Sequence, residues 1–304
     1  MELTASLSAA PTSMQLPLCL EQDILRNRFN KEPFAFTHFL TGHPALTMEN
    51  LSSVLKRRMA ADRVYWNAGD KKIEQRMDED RGIDFSIEDA MTQIEKTKSW
   101  ILMMDVQYEP EFKDLLDIVT AQIAAELGPG FLRSIKNRIS NIFVTSPQRV
   151  TPFHIDCECS FLLQIRGPKT IHLFSPRDRD MVREEEVERF WAGDNYAAKY
   201  RPEYQDHAFT CTMVPGTGVH IPVNAGHWLQ NGEETSISIG FYYQFHNHIR
   251  ANVYRVNHYM RKLGLHPAPP GQNAWCDTLK GRGLEPAITA ARAIMPWKTR
   301  ERYK

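Results

Sequence analysis

The 304-residue chain is predicted to be mainly β, an antiparallel barrel or jelly roll with helices added at both ends. Three observations predict it. The middle of the chain holds several short segments rich in β-branched and aromatic residues, closed by turn signals, with no helices alternating between them. The first third instead carries apolar stripes at helical spacing. The C-terminal part returns to such a stripe before a basic tail. The expected boundaries are a helical N-terminal region over 1–138, a strand core over 139–247 interrupted by a charged insertion at 177–207, and a C-terminal helical region over 248–304.

In the first third, Leu51, Val54, Leu55 and Met59 fall on one helical face. Ser86 with Asp89 resembles a capping box, and Ile87, Ala90, Met91 and Ile94 follow it at helical spacing. Pro110 suits a first helical position. Phe112, Leu115, Leu116, Val119, Ile123 and Leu127 then form a stripe that Gly128-Pro129-Gly130 stops. Strands are expected at 139–145, 160–166, 169–174, 209–214, 219–222 and 235–245. Ser146-Pro147, Gly167-Pro168, Pro215-Gly216-Thr217-Gly218 and Asn231-Gly232 punctuate them. The insertion reads as helical around Val187, Phe190 and Trp191. Ile249, Val253, Val256, Met260 and Leu263 form the last stripe, with Gly264 as its C′ residue.

Composition bounds the function. The 37 Lys+Arg balance 37 Asp+Glu, which argues against a dedicated nucleic-acid binder, and 42% hydrophobic residues argue against disorder. The tail over 280–304 is locally basic, with seven basic and two acidic residues, but no DNA-reading motif accompanies it. Cys19, Cys157, Cys159, Cys211 and Cys276 are odd in number and irregularly spaced, which points to a reducing compartment rather than a disulfide framework. The N-terminus does not read as a signal peptide, and no apolar run approaches the roughly 20 residues of a membrane span. The expected setting is cytoplasmic, with no membrane partner.

The chemistry concentrates in Thr151-Pro152-Phe153-His154-Ile155-Asp156. His154 and Asp156 stand two apart, so on an extended strand they share a face. An imidazole and a carboxylate there can hold a divalent metal, and His227, beyond the Pro215–Gly218 turn and a short strand, can complete the set. Two histidines and one carboxylate leave open positions on one side of the metal, as in non-haem Fe(II) oxygenases, although Mn²⁺ and Ni²⁺ suit the same donors. Glu158 shares parity with Asp156 and is a substitute ligand candidate. Cys157 and Cys159 lack the second pair of a zinc site and read as packing residues. His220 lies on the strand leading to His227, within range of the same pocket. On the strand over 235–243, Ser236, Ser238, Gly240 and Tyr242 form a small polar face expected to turn toward the site. Asn141 is expected to point inward from the strand before Thr151.

Three motifs occur in order: Thr-x-x-His-x-Asp at 151–156, Gln-Ile-x-Gly-x-Lys at 164–169, and Pro-Gly-x-Gly, Ile-Pro and His over 215–227. On these the chain resembles the jumonji-type (JmjC) branch of cupin-like Fe(II)/2-oxoglutarate-dependent oxygenases, on the asparaginyl-hydroxylase and bacterial cupin-like side. The resemblance covers roughly 139–245 and implies a double-stranded β-helix core. It implies iron ligation by His154, Asp156 and His227, and pairing of Lys169 and Thr151 with the distal carboxylate of 2-oxoglutarate. Asn141 and Ser238 are further candidates for contact with the cosubstrate. Read from the residues alone, Lys169 either meets an anion inside the barrel or snorkels to water from a strand end. Two positions depart from the pattern: Ser160 stands where that branch usually has asparagine beside the cosubstrate, and Gly240 replaces another polar residue near the iron.

The resemblance implies catalysis with Fe(II), 2-oxoglutarate and O2, hydroxylating an unactivated C–H bond of a peptide, protein or amino-acid side chain and releasing succinate and CO2. A small-metabolite hydroxylase of the same chemistry and a non-catalytic cupin-like regulator are the alternatives. The insertion and the N-terminal helices are expected to wall the substrate site. The C-terminal helices form dimers in relatives, so a homodimer through them is expected.

Overall fold

A computed structural model of the chain describes residues 16–78, 84–246 and 248–283. In order, the elements are β1 (Leu18–Cys19), α1 (Gln22–Arg28), β2 (Phe34–His38), α2 (Met48–Ala60), β3 (Val64–Asn67), α3 (Ile87–Thr92), β4 (Trp100–Met103), α4 (Pro110–Leu127), α5 (Pro129–Ser134) and β5 (Ile135–Thr145). There follow β6 (Val150–His154), β7 (Cys159–Arg166), β8 (Lys169–Leu173), α6 (Glu184–Trp191), β9 (Phe209–Met213), β10 (Thr217–Ile221), β11 (His227–Asn231), β12 (Ser236–Phe245), α7 (His248–Lys262) and α8 (Ala274–Gly283).

The strands form two antiparallel sheets. The larger has the order β1-β2-β10-β7-β12-β5-β4-β3 and the smaller β6-β11-β8-β9. Leu162, Val219 and Ile221 of the larger sheet pack with Ile171, Leu173, Met213 and Leu229 of the smaller, so the sheets face one another as a jelly roll. The outer face of the large sheet carries the main core. Ile237, Ile239, Phe241 and Tyr243 alternate along β12 and pack with Phe161 and Leu163 of β7. Against them lie Leu51, Val54 and Leu55 of α2 and Phe112, Leu115, Val119 and Ile123 of α4, the stripes expected from the sequence. Each fully buried side chain of this size contributes roughly 1.5–3 kcal/mol of transfer free energy. The capping box at Ser86 and Asp89 is formed in both directions.

The N-terminal third is not only helical. It supplies β1 to β4, which extend the large sheet on both sides: β2 pairs with β10, and β4 with β5. These strands run two to five residues, and β4 is buried on both faces, so no alternation marks it. The insertion forms its own small core. Met181, Val182, Val187 and Phe190 pack with Phe153, Phe174, Trp228 and Tyr254, joining the insertion to the small sheet and to α7. Two ion pairs with little solvent exposure fix it: Arg201 with Glu186 at 2.7 Å, and Arg261 of α7 with Glu188 at 2.6 Å. Of the basic tail over 280–304, all but the first four residues lie outside the described residues, and among the latter no helix is long and apolar enough to cross a membrane.

Candidate metal and cosubstrate site

The small sheet positions the ligand set. β6 is its edge strand, and Pro152, which has no N–H to donate, sits where an edge tolerates it. The β6–β11 ladder pairs His227 with His154 and Leu229 with Thr151, so two steps on β11 oppose three on β6. That bulge has a direct consequence. Thr151 and His154 are three apart and would face opposite ways on a regular strand; here both line the same cavity. Asp156 lies just past the end of β6, so it converges on His154 from a loop rather than along a strand face.

The geometry suits one metal ion. Nε2 of His154 lies 3.8 Å from one Asp156 carboxylate oxygen, and Nε2 of His227 lies 3.8 Å from the other. One donor atom from each of the three falls within 4.8 Å of those of the others. Both imidazoles are oriented from behind. Nδ1 of His154 faces the Pro152 carbonyl at 2.8 Å, and Nδ1 of His227 faces the Ala225 carbonyl at 3.0 Å. A carbonyl accepts only, so each Nδ1 carries the proton and each Nε2 presents its lone pair to the centre. The Asn224 N–H donates to the Asp156 carbonyl at 2.8 Å, tying the two ligand loops together. A Cβ at Gly226 would lie 2.6 Å from the Phe153 ring, so only glycine lets the chain pass there into His227.

The cavity beside these residues has a volume of about 550 Å³. Lys169 opens β8 and points into it. Lys169, Ile171 and Leu173 alternate inward, and Lys169 is only 6% exposed, so it does not snorkel. Burial lowers its pKa to about 7. Among the described residues its ammonium has no hydrogen-bond or ion-pair partner, so the position asks for an anion from outside the chain. Thr151 lines the cavity and accepts the Trp100 indole N–H at 3.2 Å. Asn141 lines it too, with its side-chain oxygen accepting the Asp105 N–H at 3.0 Å.

Ser238 is not on the cavity wall. It is fully buried, and its hydroxyl donates to the Gln164 side-chain oxygen at 2.7 Å. Gln164 is fully buried as well and does not line the cavity either. Its amide donates to the Arg166 and Gly167 carbonyls, both at 2.8 Å, and so shapes the turn that delivers Lys169. Gln164 is part of a sequence motif, but its role became visible only with the cross-strand pairing. Gly240 has a similar explanation. A Cβ there would lie 2.6 Å from the Tyr242 hydroxyl, because the Tyr242 ring folds back along β12 into the cavity and fills the space of a side chain at 240.

Other candidates fall elsewhere. Glu158 lines the cavity but accepts the Gln244 amide at 2.9 Å and is not in the ligand group. His220 lies behind the large sheet, within 4.8 Å of the Phe34 and Phe161 rings, and accepts the Asn30 N–H at 2.9 Å. Burial lowers its pKa to about 3, so it is a neutral packing residue. Cys157 lines the cavity, and burial raises the Cys159 thiol. All five cysteines are free. Trp191 of the insertion and Arg255 of α7, to which the sequence assigned no individual role, also line the cavity.

A family model described as a cupin-like domain matches residues 26–249. The chain belongs to the cupin-like domain family. No curated protein matches it. Among solved structures, Escherichia coli ribosomal oxygenase YcfD is similar at a TM-score of 0.50 and 14% identity, over 95% of this chain and 70% of that one. The same E. coli protein in complex with cobalt and 2-oxoglutarate matches with the same TM-score, identity and coverage. At such identity the likeness establishes the cupin-like fold alone, mostly antiparallel sheets with flanking helices.

Proposed function

We propose that the protein is an Fe(II)- and 2-oxoglutarate-dependent oxygenase that hydroxylates an unactivated C–H bond of a peptide, protein or amino-acid side chain. The observation that carries this reading is a pairing. A preorganised two-histidine, one-carboxylate set shares a cavity with a buried lysine that has no partner among the described residues. The donor set fits iron, since the ligands crowd one side and leave the other for substrate and oxygen. The likeness to a ribosomal oxygenase solved with cobalt and 2-oxoglutarate supports the same reading.

Iron with 2-oxoglutarate would supply the oxidation, one oxygen atom going to the substrate C–H and the other to succinate, with release of CO2. The chain's own residues do the rest. His154, Asp156 and His227 would hold the metal, with both imidazoles fixed in the neutral tautomer by backbone carbonyls. Lys169 would meet the distal carboxylate through a charge-assisted bond, selecting a dicarboxylate over a shorter keto acid. Thr151, held by Trp100, adds a hydroxyl to that end. Lys169, Asp156 and His227 are each less than 10% exposed, and that burial strengthens their contacts. A cavity of about 550 Å³ lies within the usual range for ligand pockets and leaves room for a substrate side chain beside the cosubstrate.

The test is aerobic incubation of the purified protein with Fe(II), ascorbate and 2-oxoglutarate, measuring succinate and CO2. Turnover above a His154→Ala control is expected even without substrate. Inertness of an iron-loaded protein toward 2-oxoglutarate and candidate peptides would overturn the assignment.

A further inference from the structure

The charged insertion does more than wall the site: it reaches a loop that carries a ligand. α6 ends on Trp191, and the indole N–H donates to the side-chain oxygen of Asn224 at 3.0 Å. Asn224 lies in the loop between β10 and β11, three residues before His227. It is 5% exposed and holds φ at +63°, a left-handed conformation that asparagine tolerates better than most side chains. Its own N–H donates to the Asp156 carbonyl. One residue therefore touches the loops of two ligands, and the insertion holds its side chain.

Trp191 is itself held from α7. The Tyr254 ring lies parallel to the indole at 6.4 Å between centroids, and Arg255 Nε donates to the Trp191 carbonyl at 3.0 Å. The indole also forms part of the cavity wall. It thus has one edge on the ligand loops and a surface toward whatever the cavity contains.

We propose that Trp191 is a positioning residue for the metal ligands: through Asn224 it sets how Asp156 and His227 are presented, making the 177–207 insertion a working part of the metal site. A substrate packed against the indole would bear on the same loop. The proposal rests on the metal-site reading above. Groups that orient ligands from behind typically change metal affinity by roughly 10–100-fold when removed.

The test is a double-mutant cycle read by cobalt binding to the full chain. Trp191→Phe keeps an aromatic wall and deletes the N–H; Asn224→Gly keeps the left-handed backbone and deletes the acceptor. Co(II) affinity is measured by calorimetry, and coordination by the visible d–d spectrum. Each single variant should bind cobalt about 10-fold more weakly with an altered spectrum, and the double should be within about twofold of the weaker single. Wild-type affinity in the singles, or effects that multiply in the double, would overturn the proposal. So would losses that merely track a fall in the melting temperature of the metal-free chain. A wild-type chain that does not bind cobalt would instead sink the metal-site reading, and this proposal with it.

Discussion

The two sheets of the jelly roll are built to different ends. The small sheet carries Thr151, His154, Lys169 and His227, with Asp156 in the loop just beyond β6. The large sheet gives the cavity Asn141, Phe143, Leu162 and Tyr242, and gives the helices an apolar outer face. One sheet collects groups that burial makes costly unless a ligand arrives; the other contributes the burial. The difference teaches where substitutions should separate function from stability.

The largest separation is expected at the ligands. His154→Ala or His227→Ala should weaken Co(II) or Fe(II) binding by more than about 100-fold, beyond the range of supporting groups. The metal-free melting temperature should hold within about 2 °C, because neither side chain is part of a hydrophobic core. A collapse of the fold would erase the contrast between the sheets. Phe161→Ala on the large sheet should do the reverse. It removes a fully buried ring, costing about 3–5 kcal/mol of unfolding free energy by denaturant titration, while the folded fraction still binds metal.

Lys169→Ala comes next. It should weaken 2-oxoglutarate binding by about 10–100-fold in anaerobic titrations, the worth of a hydrogen bond to a charged group, and leave metal affinity unchanged. Unchanged cosubstrate affinity would remove Lys169 from the site. The pH dependence sharpens this. With a pKa of about 7, Lys169 is an ammonium at lower pH and a neutral amine at higher pH. A dicarboxylate needs the ammonium, so 2-oxoglutarate affinity should fall as pH rises from 7 to 9, by at most about tenfold per unit. Lys169→Ala should flatten that profile. The smallest effect is Ser238→Ala, which loses the bond to Gln164 for about 1 kcal/mol of stability and leaves cosubstrate affinity within about twofold.

The chemistry-bearing residues of the small sheet were legible in the sequence, because they are rare types at fixed spacings, although its strands β6 and β11 were not among the strands expected. His154, Asp156 and His227 are recognisable before any fold is known, and Lys169 follows a Gly-Pro turn that orients it. The bulge between Thr151 and His154 was not legible, although it lets both face one cavity, since it depends on the partner strand's register. The large sheet was read less well. β1, β3 and β4 are too short or too uniformly buried for a period, and the five residues of β2 alternate only briefly; strand parity places Ser238 on the wall because it cannot say that Gln164 on β7 claims its hydroxyl. Trp191 and Asn224 lie 33 residues apart with no local pattern joining them. α2, α3 and α4 of the first third were legible because apolar side chains recur at helical spacing along them, whereas α1 and α5, of seven and six residues, are too short to show such a stripe.

His154 and His227 sit opposite one another in one ladder, yet β7, β8, the insertion, β9 and β10 all lie between them in the chain. A metal held by both would close that whole stretch into a loop. In chain-entropy terms such a tie acts as a reversible crosslink, with stabilisation on the order of 4 kcal/mol for a loop of many tens of residues. Loss of the metal would then loosen the strands and the insertion that lie between the two histidines, and protease cleavage there would report it.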